Sequence, residues 1–217
     1  MSDGRPKAVI FDMGNVLIGW DARARYRAHF ESEAALDAFF RTLFREIYDA
    51  VHDDEREMEA CLAPLKEKHP HARHLIEVYE KDWGSFLTGL IEESVALVHA
   101  LHGAGIKLYG LTNWPHQVWP PHRAVPGTKE HYAFLELFED VLVSGQERLR
   151  KPDPEIYRLA LSRFRLSPGE ALFVDDLAEN IAAAEALGMH GHVFETPAGL
   201  HAALCAHGLL PDKGRAG

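Results

Sequence analysis

Short apolar runs that end in polar or acidic residues recur along the chain, at Ala8–Phe11, Ile106–Leu111, Val141–Val143, Ala171–Val174 and His192–Phe194, and helix-patterned stretches separate the last four. Runs of this length suit strands buried on both faces. Their alternation with helices predicts an α/β fold built on a Rossmann-like parallel sheet. Right-handed crossovers then gather the carboxyl ends of the strands along one edge, where ligands bind. Residues just after each run are the first candidates for chemistry.

The pattern changes between the first two runs. Leu36, Phe39, Phe40, Leu43, Phe44 and Ile47 follow a three-and-four spacing, as do Leu75, Tyr79, Trp83 and Phe86. This predicts amphipathic helices with almost no strand signal. The expected organisation is therefore a core made of residues 1–18 and 89–217, with a helical cap inserted at 19–88. The proline-rich stretch Trp119–Lys129 predicts a long loop with no assigned role.

Composition narrows the function classes. The 217 residues are 47% hydrophobic and 26% charged, as in an ordinary globular chain with a real core. With 23 basic and 33 acidic residues, the formal charge of −10 disfavours binding to nucleic-acid backbones and favours a small or metal-bound ligand. No membrane-spanning stretch or secretion signal is expected, because Ala8–Phe11 is short and runs straight into a polar motif. Cys61 and Cys205 are far apart and lack a metal or redox spacing, so a reduced, cytoplasmic setting is the simplest reading. Monomer and homodimer both stay open.

The first run delivers Asp12, and the turn at Met13 and Gly14 can aim backbone N–H groups at an anion. Asp12 alone could equally be a capping aspartate. The second run ends in Thr112 and Asn113, which offer a hydroxyl and an amide to a phosphate oxygen, although both also make ordinary turns. Lys151 precedes a proline-rigidified helix start and could neutralise a nucleophile and a phosphate together. Asp175 and Asp176 close the fourth run. Adjacent carboxylates raise each other's pKa unless a cation neutralises them, and hard oxygen ligands favour Mg²⁺ over zinc. His69, His71 and His74 are close in sequence, but no further ligand cluster supports a zinc site there.

In this order, FDMGNV, LTN, RKPDPEIY and FVDDLAEN resemble the four motifs of the haloacid dehalogenase superfamily. Details such as LTNW and ALGMHGHVF are similar to the branch that includes the glucose-1-phosphate phosphatases and the phosphatase domain of soluble epoxide hydrolase. The resemblance implies a Mg²⁺-dependent phosphatase acting on a small phosphorylated metabolite, with a sugar 1-phosphate as the branch's suggestion. Asp12 would be the nucleophile and a metal ligand, joined by the Gly14 carbonyl, Asp175 and Asp176. Met13, Gly14, Thr112, Asn113 and Lys151 would hold the phosphate, with Lys151 also stabilising the growing charge, and Asn180 would orient the metal-site loop.

The sequence departs from the superfamily pattern at Gly14, where most of its phosphatases carry an acid/base aspartate. General acid–base help is worth about a hundred- to ten-thousand-fold in rate. His52 and Asp53 are candidates to supply it from the cap, and Trp114 could line the substrate pocket. The rival readings are a metal-independent 2-haloacid dehalogenase and a phosphometabolite-binding protein with little turnover. Dehalogenases of that class typically have an aromatic residue at the Gly14 position and lack the paired carboxylates.

Overall fold

The computed structural model describes residues 5–52 and 56–211. The chain opens with β1 (Ala8–Phe11), then β2 (Ile18–Trp20), α1 (Ala22–Arg27), α2 (Glu33–Arg41), α3 (Leu43–His52), α4 (Met58–Lys68), α5 (Arg73–Asp82) and β3 (Leu87–Leu90). It continues through α6 (Glu92–Gly103), β4 (Lys107–Thr112), β5 (Asp140–Val143), α7 (Ser144–Glu147) and α8 (Pro154–Phe164). The last elements are β6 (Ala171–Asp175), α9 (Ala178–Glu185), β7 (His190–Val193) and α10 (Pro197–Ala206).

Five strands form a parallel sheet in the order β5-β4-β1-β6-β7. The chain fills the sheet outward on one side of β1 and then crosses to the other. The reversal of strand order at β1 opens a crevice at the carboxyl ends of β1, β4 and β6.

Strand pleating explains the continuous apolar runs. Val9 and Phe11 join one core cluster with Val98, Leu101, Leu200 and Leu204 of α6 and α10. Ala8 and Ile10 join the other, with Ile156, Tyr157, Ile181 and Ala184 of α8 and α9. Both faces of β1 are thus sealed, and each large side chain so buried contributes roughly 1.5–3 kcal/mol.

The expected strands are present with shifted ends. The runs at β4 and β6 extend to Thr112 and Asp175, which brings those polar residues into the ladder. The last strand is His190–Val193, beginning two residues before the expected His192–Phe194. As a half-exposed edge strand it carries little apolar signal.

The segment read as purely helical holds α1 to α5, but an antiparallel ribbon of β2 and β3 ties its two ends together. These short strands contain Gly19 and Gly89 and so lack alternation. A Cβ at Gly19 would overlap Thr88 Oγ1, so a larger residue there would force that side chain to turn away. The helices pack around Tyr26, whose ring centroid lies 4.7 Å from Phe39, 5.7 Å from Phe44 and 5.8 Å from Phe86. Its hydroxyl donates to the Leu75 carbonyl at 3.0 Å.

The stretch 119–129 contains a tight helical turn, Pro121–Arg123, and buries Trp119 against Trp114 with ring centroids 5.5 Å apart. It also lies against Gly84, where a Cβ would collide with the Ala124 carbonyl. The loop therefore buttresses the turn that carries Trp83. Cys61 and Cys205 are not joined in a disulfide. Among the described residues no helix is long and apolar enough to cross a membrane.

Candidate active site

Asp12 follows β1, and its backbone N–H extends the sheet by donating to the Val174 carbonyl at 2.8 Å. The chain then turns back on itself: the N–H groups of Leu17 and Ile18 both donate to the Met13 carbonyl. Asn15 makes this turn with φ of 54°, a left-handed conformation that asparagine tolerates better than most residues. Its carboxamide ties the turn down, accepting from the Trp20 N–H at 2.9 Å and donating to Asp176 Oδ2 at 3.4 Å.

Lys151 is held from outside its own segment. The Asn113 side chain accepts from the Lys151 N–H at 2.9 Å and donates to its carbonyl at 3.0 Å, pinning the lysine to the end of β4. Asp153 caps α8 by accepting from Glu155, and Pro154 occupies the first helical position. The Lys151 ammonium is thereby fixed 2.6 Å from Asp175 Oδ2 and 2.9 Å from Asp12 Oδ1. Burial opposes its charge, but the Asp12 and Asp175 carboxylates outweigh this and raise its pKa.

Asp175 is held at both of its oxygens, Oδ2 by Lys151. Its Oδ1 accepts from the Leu177 N–H at 2.8 Å and from Asn180 Nδ2 at 2.9 Å. Asn180 is in turn steadied by Tyr157, whose hydroxyl donates to the Asn180 carbonyl at 3.0 Å.

Oxygens of Asp12, Asp175 and Asp176 all lie within 4.8 Å of one another. Burial drives the Asp12 carboxyl up to about 6; Lys151 opposes the rise, and the Asp175 and Asp176 carboxylates add to it. Asp176 is also raised, first by burial and then by Asp175. Three carboxylates against one lysine leave a negative, oxygen-only donor set, which fits a hard divalent cation better than zinc.

The site opens into a cavity of about 250 Å³. Of the residues singled out from sequence, Asp12, Gly14, Asn113, Lys151, Asp176 and Asn180 line it. Trp114 and His52 do so as well. Met13 and Thr112 are buried behind the wall, and the Met13 N–H donates to Asp12 Oδ1 at 2.7 Å. A Cβ at Gly14 would meet nothing within 4 Å, so the position of the absent aspartate is open space. His52 stacks on Tyr48 with centroids 3.6 Å apart and shares a 2.9 Å hydrogen bond between its Nδ1 and the Tyr48 carbonyl. Burial lowers its pKa to about 4, so it is neutral at pH 7. Asp53 lies outside the described residues. His69 is engaged instead by Glu46, at 3.2 Å.

Sequence reasoning did not single out Trp20, Tyr48, Tyr79 and Trp83 as site residues, yet all four wall the cavity. Tyr79 and Trp83 were read as one apolar helix face, and no local signal marks which members of such a face meet a ligand.

Known proteins resemble this arrangement. The chain is 28% identical to a sesquiterpene phosphatase of Aspergillus oryzae over 186 residues, covering 85% of this chain and 88% of that protein. It is 29% identical over 119 residues to a phosphoglycolate phosphatase of Vibrio cholerae, covering 55% of this chain and about half of that enzyme, 50%. A haloacid dehalogenase family enzyme of Bacteroides thetaiotaomicron, solved with magnesium and inorganic phosphate, shares the fold. The TM-score is 0.66 at 18% identity, over 88% of this chain and 95% of that one. Every strand-end group described above falls within residues 6–188, the span matched by the family model of the haloacid dehalogenase-like hydrolases, and to that family the chain belongs.

Proposed function

We propose that this hydrolase is a Mg²⁺-dependent phosphomonoesterase acting on a small phosphorylated metabolite through an aspartyl-phosphate intermediate. The observation that carries the proposal is the meeting of Asp12, Asp175, Asp176 and Lys151 at the strand ends beneath a cavity. The likeness to two phosphatases supports a phosphate ester as the substrate.

In this reading Asp12 attacks phosphorus in line, and the bond from phosphorus to the alcohol oxygen breaks with its electron pair leaving on that oxygen. Water then hydrolyses the aspartyl-phosphate, releasing phosphate and restoring Asp12. Lys151 neutralises the nucleophile and the charge growing on the phosphoryl oxygens. Thr112, the Asn113 backbone and the turn at Met13 and Gly14 hold those oxygens. Asp12, the Gly14 carbonyl, Asp175 and Asp176 would hold Mg²⁺, and Asn180 orients Asp175. When bound, the ion supplies the positive charge that lets an anionic carboxylate approach an anionic ester. Residues 19–88 act as the cap over a core of 1–18 and 89–217, with His52 and Trp114 facing the substrate. Gly14 lends no proton, so the leaving group must take one from elsewhere.

The test is phosphate release from a panel of phosphomonoesters with and without Mg²⁺, with Asp12→Asn as control. Metal-dependent release that disappears in the variant is expected. Chloride release from 2-chloropropionate without Mg²⁺, in the absence of phosphatase activity, would transfer the assignment to a dehalogenase.

A further inference from the structure

The cavity above Asp12 has two unlike parts. Among the described residues, the formal charge of its lining lies at the strand ends, on Asp12, Asp176 and Lys151. Gly14, Asn15, Asn113, Leu177 and Asn180 lie beside these charges, and the remaining wall is aromatic, built from Trp20, Tyr48, His52, Tyr79, Trp83 and Trp114. Trp83 and Trp114 lie with ring centroids 4.9 Å apart. Within this wall the hydroxyl of Tyr79, 0% exposed, and the indole Nε1 of Trp83, 4% exposed, have no hydrogen-bond partner among the described residues. The two groups are neighbours, and the indole offsets part of the rise that burial imposes on the phenol pKa, but the pair does not meet hydrogen-bond geometry. Both groups can donate, and a buried donor without an acceptor costs about 1–3 kcal/mol.

Resting on the phosphatase reading, we infer that the alcohol half of the substrate is neutral and mainly apolar, with a planar or unsaturated body against the aromatic wall and one acceptor oxygen for Tyr79 and Trp83. A polyhydroxylated sugar would carry several donors into a wall with few polar atoms, and each unpaired one is penalised. A carboxylate substituent fares worse. Lys151, the one cationic side chain among the described residues lining this cavity, is already engaged by Asp12 and Asp175.

The experiment compares kcat/KM for benzyl phosphate, 4-acetylbenzyl phosphate, glucose 6-phosphate and phosphoglycolate, with acetyl phosphate as a small reference ester. The benzyl and glucose esters both release primary alcohols, so their comparison reads the wall rather than the leaving group. Benzyl phosphate should exceed glucose 6-phosphate and phosphoglycolate by about tenfold or more, the order expected of one well-matched pocket group. The added carbonyl of the acetyl compound should give a further gain that Tyr79→Phe and Trp83→Phe each reduce; Tyr79→Phe keeps the ring and loses only the hydroxyl, whereas Trp83→Phe loses the N–H together with part of the aromatic surface. Independently of turnover, benzylphosphonate should change the intrinsic tryptophan fluorescence, and Trp83→Phe should diminish that change. Equal or better turnover of the sugar or the glycolate ester, with acetyl phosphate hydrolysed, overturns the inference and leaves the phosphatase reading standing. Release from none of the esters, acetyl phosphate included, overturns both.

Discussion

Asp12 is pulled in two directions. Burial drives its pKa up to about 6, with Asp175 and Asp176 adding to the rise and Lys151 opposing it. A folded-state carboxyl above its ordinary 3.8 binds its proton more tightly than the unfolded chain does. Its contribution is therefore most favourable at low pH and is lost as pH rises from that value toward 6. At pH 7 without metal, Asp12→Asn should relieve this penalty. A gain on the order of 1 kcal/mol corresponds to a Tm about 2–4 °C higher, measurable by thermal melting, while phosphate release falls by about a thousandfold or more. A lower Tm would mean that the pairing with Lys151 outweighs burial. Gly14 offers the complementary test, because the space beside it is open. Gly14→Asp should speed hydrolysis of esters with poor leaving groups by about a hundredfold, the lower end of general acid help. An unchanged rate in single-turnover kinetics would place the proton donor elsewhere.

Helix α3 links the helical segment to the catalytic loops. Asp49 pairs with Arg150 at 2.5 Å, next to Lys151, and His52 lines the same cavity as Asn113 and Lys151. Burial keeps His52 neutral, with Arg150 also lowering its pKa and Asp49 partly opposing. A histidine with a folded pKa of about 4, against its ordinary 6.5, contributes stability that is complete above 6.5 and lost as pH falls from 6.5 toward 4. The loss can reach about 3 kcal/mol. Its slope is opposite in sign to that of Asp12, so it is best read in an Asp12→Asn background. There, His52→Gln should flatten the fall of Tm between about pH 6.5 and 5. Parallel curves for the two proteins would exclude His52 as the titrating group.

For the molecule as a whole, the acidic cluster joins residues from β1 and the end of β6 that only the folded chain brings together. A cation held there binds the native state alone and stabilises it by mass action, by ~2.7 kcal/mol at a hundred times its Kd. Mg²⁺ should therefore raise the Tm of the wild type and raise that of Asp12→Asn much less, as read by differential scanning fluorimetry. An equal rise in both would place the bound ion away from Asp12.

The pattern of residues by itself determined the parallel sheet and which polar residues stand at its strand ends. Strands sealed on both faces must be continuously apolar, so the polar residue ending each run stands out: Asp12, Thr112 and Asp175 were all legible this way. The order of the motifs around them, with Lys151 between the second and fourth runs, was equally local. Tertiary structure alone decided the rest. The ribbon of β2 and β3 is short, glycine-containing and paired across a long sequence separation, so no local alternation announced it. Trp20, Tyr48, Tyr79 and Trp83 are spread along the segment between the first two core strands, and each reads locally as an ordinary core residue. The stretch 119–129 reads as a loop until Ala124 is seen against Gly84. A buried aromatic side chain satisfies the same hydrophobic periodicity whether it faces another helix or a ligand, and only the packing of the helices over the sheet decides which.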